Sequence, residues 1–203
     1  LGGNVFQEHL EYVKRNMPSL IVEHDGEVLK KSEEWTDDYA NIQLAKLKGA
    51  RVIACELDEK RLEVAKKMGA DVLVNSGKVD AVEEVKKLTE GRGADAVFCT
   101  VPVAALADQA VQMTGKLGRT VFYTSFHPDK PIELSPNKVH SSEQIITGTV
   151  NPQKKDFLAA SRLLSSKIVD VSDLISDRVP LAEIDRAFEE AILPDTYRIL
   201  VQP

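Results

Sequence analysis

Residues Arg51 to Glu56 read RVIACE, a near-continuous apolar run closed by a carboxylate. An acid at the carboxyl end of such a strand can accept both ribose hydroxyls of an adenosine, and its charge repels the 2′-phosphate that distinguishes NADP. A strand-end acid can equally cap the next helix. Here Asp58 stands at the better N-cap position, which leaves Glu56 freer for a ligand. Cys55 and Cys99 lie inside apolar runs and read as buried thiols. His9 and His24 lie among carboxylates, and no H-E-x-x-H or C-x-x-C spacing occurs, so no metal ligands are assigned. His127 and His140 read as loop or helix-end residues with no base role.

A strand-end acid acts only where the surrounding elements make a crevice, and the periodicity from Asn41 onward supplies them. Asn41 to Lys48 is predicted as a helix stopped by Gly49, then Arg51 to Glu56 as a strand and Glu59 to Met68 as a helix ended by Gly69. Further strands are expected at Asp71 to Val74, Ala94 to Val101, Thr120 to Tyr123 and Ile145 to Val150. Helices fall between or after them at Asp80 to Leu88, Ala104 to Met113 and Gln153 to Ser165. Strands that are apolar throughout belong in a parallel sheet covered on both faces. Short-linked alternation gives right-handed crossovers, hence an α/β, doubly wound, mostly parallel Rossmann-like sheet, with ligands at the carboxyl ends of its strands.

The flanks differ. Residues 1–40 form an unrecognised N-terminal appendage or the remnant of another domain, 41–166 the nucleotide-binding unit, and 167–203 a closing segment. In the appendage, Phe6, Leu10, Val13 and Met17 recur at helical spacing before Pro18, and Ser19 to Val22 with Glu27 to Leu29 reads as a hairpin around His24-Asp25-Gly26. In the closing segment, Ile168 to Leu181 reads as irregular, Leu181 to Ile192 as a helix and Tyr197 to Val201 as a strand that pairs elsewhere, with the appendage as one candidate partner. The 203 residues are 43% hydrophobic and 29% charged, which excludes collagen-like, mucin-like and disordered classes. A net charge of −6 argues against nucleic acid as a partner. No apolar run approaches membrane-spanning length, the start Leu1-Gly2-Gly3-Asn4 does not read as a signal peptide, and two cysteines suit a reducing compartment, so a cytoplasmic protein acting on small molecules is expected.

Asn41 to Ala70, NIQLAKLKGARVIACELDEKRLEVAKKMGA, resembles the nucleotide-binding domain of the medium-chain dehydrogenases, the zinc-dependent alcohol and polyol dehydrogenase superfamily. The likeness continues through DVLVN at 71–75, GRGADAVF at 91–98, GRTV at 118–121, VHSSE at 139–143 and TGTV at 147–150, and reaches VPLAEI at 179–184 and YRILV at 197–201. The resemblance implies NAD as cofactor, with Glu56 holding the adenosine ribose and Arg61, one helical turn on, contacting the same ribose. It places Thr100 and Val101 beside the dinucleotide, Ser125 and Thr149 near the nicotinamide amide, and Arg198 near the pyrophosphate. It further implies a small alcohol or polyol substrate, zinc in the full family, and a homo-oligomer joined through sheet edge strands such as Ile145 to Val150.

The sequence also departs from that pattern. Dinucleotide folds open with a strand, a G-x-G-x-x-G turn and a helix whose N-terminal amides face the pyrophosphate. Here EEWTDDYA precedes the helix, no glycine falls between Gly26 and Gly49, the first strand looks absent, and forty residues are too few for the zinc-binding catalytic domain. The expectation is an NAD-linked oxidoreductase of the zinc-type alcohol or polyol class, with two explanations open for the break at Ala40–Asn41: stretches of a longer polypeptide are omitted there, or the form is a truncation without turnover. Two other readings remain open. RVIACELDEKRLEVAKK also resembles the second strand of S-adenosylmethionine-dependent methyltransferases, which an antiparallel last strand would favour. The other is a non-catalytic nucleotide-binding or assembly module.

Overall fold

The computed structural model describes residues 19–24, 36–126, 128–150, 153–193 and 196–203, with side chains from Tyr39 onward. The elements in order are β1 (Ser19–His24), α1 (Thr36–Leu47), β2 (Arg51–Glu56), α2 (Glu59–Lys67), β3 (Val72–Asn75), α3 (Ala81–Leu88), β4 (Ala94–Cys99), α4 (Ala104–Met113), β5 (Thr114–Phe122), α5 (Pro136–Ser142), β6 (Ile145–Gly148), α6 (Lys154–Ser165), β7 (Ile175–Pro180), α7 (Ile184–Ala191) and β8 (Arg198–Gln202). Six strands form one sheet in the order β3-β2-β1-β4-β5-β6, and every pairing within it is parallel. That order reverses at β1, which creates a topological switch point between β1 and β4 and confirms the doubly wound α/β class.

The period of two along each strand explains why both faces are buried. On β2, Val52 and Ala54 join a cluster with Tyr39, Ile42 and Ala45 of α1 and with Phe98 of β4. Ile53 and Cys55 point the other way, into a cluster with Val82 and Val85 of α3, Val97 and Cys99 of β4, and Ala110 and Met113 of α4. Both cysteines are buried free thiols.

Several expectations fail. Ser19–His24 is no hairpin arm: it pairs parallel with β2 on one side and β4 on the other, so the first strand is present. The apolar run Leu20 to Val22 is short, and no G-x-G-x-x-G follows it in the sequence, so the usual sequence sign of an opening strand is missing. Glu27 to Leu29 and the helix expected over Phe6 to Met17 lie outside the described residues. Helix α1 starts at Thr36 rather than Asn41 and crosses Ala40–Asn41 without a break. β5 begins at Thr114, not Thr120, through an irregular stretch that shifts its register against β4. Pro136–Ser142, left unassigned by the periodicity, is a helix capped by Ser135 with proline in its first turn.

The closing segment also differs from its reading. Ile175–Pro180, expected to be irregular, is a strand, and β8 pairs with it in parallel as a separate two-stranded sheet rather than with the N-terminal residues. Pro180 is tolerated because it ends its strand. This unit is tied to α1 by a reciprocal contact: Gln43 Nε2 donates to the Asp170 carbonyl at 2.6 Å, and the Asp170 amide donates to Gln43 Oε1 at 2.9 Å.

Candidate nucleotide site

Glu56 closes β2 at the carboxyl edge of the sheet, level with His24 of β1 and Asn75 of β3. The chain turns there into α2, and acidic side chains hold the turn. Glu56 Oε1 accepts from the amides of Leu57 at 2.7 Å and Asp58 at 3.1 Å. Asp58 is the N-cap of α2, its Oδ1 accepting from the amides of Lys60 at 2.8 Å and Arg61 at 3.0 Å. Asn75 braces the far side, its Nδ2 donating to the Leu57 carbonyl at 3.1 Å and to Glu59 Oε1 at 2.8 Å. The Lys78 ammonium and the Asn75 amide, both bonded to Glu59, hold that carboxyl below its ordinary range.

Glu56 is only 2% exposed and Arg61 8%. They converge with two aromatic residues that the sequence did not single out. Tyr39, in the first half of α1, meets the Tyr197 ring edge to face, with centroids 5.6 Å apart. The Arg61 guanidinium carbon lies 5.9 Å from the centre of the Tyr197 ring. Burial, then Tyr197, then the Glu56 charge push the Tyr39 phenol well above its ordinary value, with Arg61 opposing. Burial also raises Tyr197, and the Arg61 cation pulls the other way. Beside this quartet an open groove of about 290 Å³ is lined by Asp58, Arg61, Val64, Lys67 and Tyr197.

The other candidates spread along the same edge. Thr100 and Val101 follow β4 and are buried, and Ser125 follows β5 and is exposed. Thr149 follows β6, its amide donating to the Phe122 carbonyl at 3.1 Å. Arg198 opens β8, next to Tyr197, and is half-buried. Glu56 and Arg61 are thus brought together, whereas Thr149 stands four strand positions from β2. At the usual strand spacing that separation is about 19 Å. Tyr197 was missed because only tertiary folding brings the start of β8 to α1 and α2; its position beside Arg198 is the one hint the sequence offered.

An all-parallel sheet with this strand order and an acid at the end of its second strand defines a doubly wound nucleotide-binding fold. The sequence profile of the family described as zinc-binding dehydrogenase matches residues 39–166, and the chain belongs to that family, within the medium-chain zinc-type alcohol and polyol dehydrogenases. Among its relatives, the sorbitol dehydrogenase of Halalkalibacterium halodurans is 30% identical over 164 residues, which cover 79% of this chain and 47% of the relative. The L-threonine 3-dehydrogenase of Bacillus subtilis is 33% identical over 151 residues, covering 73% and 43%. Among solved structures, an alcohol dehydrogenase zinc-binding domain protein from Burkholderia ambifaria superposes with a TM-score of 0.81 at 20% identity, over 98% of this chain and 51% of that one. The chain spans about half the length of the curated relatives it matches.

The family implies NAD and zinc, and the described residues suit them unequally. The adenosine end fits, with Glu56 at the strand end and Arg61 one turn on. The diphosphate end does not. Helix α1 starts inside the acidic stretch, with Asp37 and Asp38 as its second and third residues. The glycines that let a backbone approach a pyrophosphate are absent from 27–48. Among the described residues, no group of three His, Cys, Asp or Glu side chains is placed to hold a metal ion. No helix among them is long and apolar enough to cross a membrane.

Proposed function

We propose that this chain is the cofactor-binding part of an NAD-linked oxidoreductase of the zinc-type alcohol and polyol dehydrogenase class, in which Glu56 and Arg61 hold the adenosine ribose. The observation that carries the reading is the position of Glu56: it ends β2 beside the central β1, where strand order reverses nearby. A carboxylate there accepts the ribose hydroxyls and selects against a 2′-phosphate. In this reading Thr100 and Val101 flank the dinucleotide path, Ser125 and Thr149 lie toward the nicotinamide amide, and Arg198 toward the phosphates. Residues 41–166 are the nucleotide-binding unit and 167–203 the closing unit that packs on it. The substrate class is a small alcohol or polyol, and the compartment is the cytoplasm.

The reading assigns nucleotide binding to this chain, whose sequence lacks the G-x-G-x-x-G turn that brings a backbone to a diphosphate. That same feature supports the second reading, a non-catalytic nucleotide-binding module. The methyltransferase reading loses its discriminating sign, since the six-stranded sheet has no antiparallel pairing. A homo-oligomer would form through β6, the outer strand of the sheet, whose Ile145 is exposed along with the nearby Val150. Sedimentation as a monomer would remove that part of the proposal.

Calorimetry with adenosine 5′-monophosphate tests the nucleotide assignment. The protein should bind it, and Glu56→Gln, which keeps an acceptor for the Leu57 and Asp58 amides, should bind at least about tenfold more weakly. Equal affinities, or no binding by either protein, would remove the ribose role of Glu56.

A further inference from the structure

We propose that Asn75 is a positioning residue for Glu56: through the Leu57–Asp58 peptide it fixes the direction in which the Glu56 carboxylate meets a ribose. The inference rests on the reading of Glu56 as the ribose acceptor and adds to it a residue of β3 that acts through the backbone. Asn75 ends β3 level with Glu56 at the end of β2, and the Ser76 amide donates to the Glu56 carbonyl at 3.1 Å, so the main chains are joined where both strands stop. Beyond that point one peptide unit is gripped from both sides. The Asp58 amide donates to Glu56 Oε1 at 3.1 Å, while the Leu57 carbonyl of the same peptide accepts from Asn75 Nδ2 at 3.1 Å. The carbonyl and the N–H of a trans peptide lie in one plane and point opposite ways, so holding the carbonyl aims the amide. The Leu57 amide adds a second bond to the same carboxylate oxygen at 2.7 Å.

The Asn75 side chain is itself held in one orientation. Its Oδ1 accepts from the Gly77 amide at 2.9 Å, and its Nδ2 also donates to Glu59 Oε1 at 2.8 Å. Turned over, it would set oxygen against the Leu57 carbonyl and the Glu59 carboxylate, and nitrogen against an N–H, so all its partners agree. Gly77 packs close on the same turn, where an added Cβ would stand 3.2 Å from both Asn75 Oδ1 and Leu57 Cδ2. An aspartate in place of Asn75 would keep the shape and the acceptor for Gly77 but turn an oxygen toward the Leu57 carbonyl. Lys78 pairs with the Glu59 carboxylate on the exposed side, which gives a control that touches Glu59 without removing Asn75. A carboxylate that reads two hydroxyls depends on its angle, and that angle is set by the groups that hold its own partners.

Calorimetry with adenosine 5′-monophosphate and its 2′-deoxy analogue on the parent, Asn75→Asp, Asn75→Ala, Lys78→Ala and Glu56→Gln tests this, with a thermal melt to establish that each is folded. The readout is the ratio of the two affinities, from which the added charge of Asn75→Asp cancels because both ligands carry the same phosphate. The ratio should be about five- to tenfold in the parent and in Lys78→Ala, and should fall below about twofold in both Asn75 variants and in Glu56→Gln. A folded Asn75 variant that keeps the parent ratio, while Glu56→Gln loses it, overturns the positioning role and leaves the ribose reading standing. Loss of the ratio in Lys78→Ala does the same, by assigning the effect to Glu59, and so does unfolding of both Asn75 variants, which would make Asn75 a support of the fold alone. The same ratio in the parent and in Glu56→Gln, or no binding by the parent, removes the ribose reading and the positioning role with it.

Discussion

The six-stranded sheet and the two-stranded sheet lie in one chain but are built on opposite rules. Along β2 and β4 nearly every residue is buried, on both faces, against helices on each side. Along β7 and β8 burial is partial, with Val179 the one fully buried member among the described residues of that pair. Leu200 and Val201 remain exposed, as do Phe188 and Ile192 beside them, with Phe188 at 69%. The large sheet is a closed core that fixes where Glu56 stands. The small sheet is a peripheral layer whose segment is joined to α1 through Gln43 with Asp170 and through Tyr39 with Tyr197.

Paired substitutions can break this contrast, and the largest effect is expected in the core. Phe98 is fully buried between α1 and the sheet, so Phe98→Ala should cost about 3–5 kcal/mol in chemical denaturation. Phe188→Ala, at an exposed position, should stay within about 0.5 kcal/mol. Equal costs would mean that the closing unit is as tightly packed as the core.

Glycines give a second pair. An added Cβ at Gly115 would overlap the Arg92 carbonyl oxygen, whereas at Gly148, on edge strand β6, the nearest atom is 3.6 Å away. Gly115→Ala should therefore cost about 1–3 kcal/mol and Gly148→Ala close to nothing by the same measurement. Asp58→Ala removes the cap of α2 and should cost about 1 kcal/mol, read from the shift of the denaturation midpoint.

The smallest effect is a pH dependence of the closing unit. The Arg178 amide and the Arg186 guanidinium hold the Asp177 carboxyl below its ordinary value. Its contribution is complete above the unfolded carboxyl range and is lost as pH falls through the lower folded value. Amide exchange in β7 and β8 should rise below about pH 4 before that of β2 and β4 does. Simultaneous loss of protection in both sheets would contradict the division into core and periphery.

The same contrast explains what the sequence revealed. RVIACE and ADAVFC are near-continuous apolar runs because a covered parallel strand has no polar face, and both strands are legible from them. Helices α2 and α3 were bounded by Asp58 and Asp80, whose side chains cap them as their types suggest. β7, ISDRVP, has three polar residues in a row between Ile175 and Val179 and ends in proline, so it carries no apolar run to read. β1 escaped for a different reason: the sequence sign of an opening strand is the G-x-G-x-x-G that follows it, and no such run follows Ser19–His24. Within the site, Glu56 and Arg61 were legible because they sit five residues apart on one strand–helix unit. Tyr39 and Tyr197 were not, because 158 positions separate them and only the docking of the closing unit brings their rings together.

The central claim is a bond between the Glu56 carboxylate and a ribose hydroxyl, and a calorimetric cycle measures it directly. Adenosine 5′-monophosphate and its 2′-deoxy analogue are each titrated into the parent chain and into Glu56→Gln. Loss of the 2′-hydroxyl should weaken binding about five- to tenfold in the parent and leave the variant almost unchanged. The same ratio of affinities in both proteins would show that Glu56 does not touch the sugar.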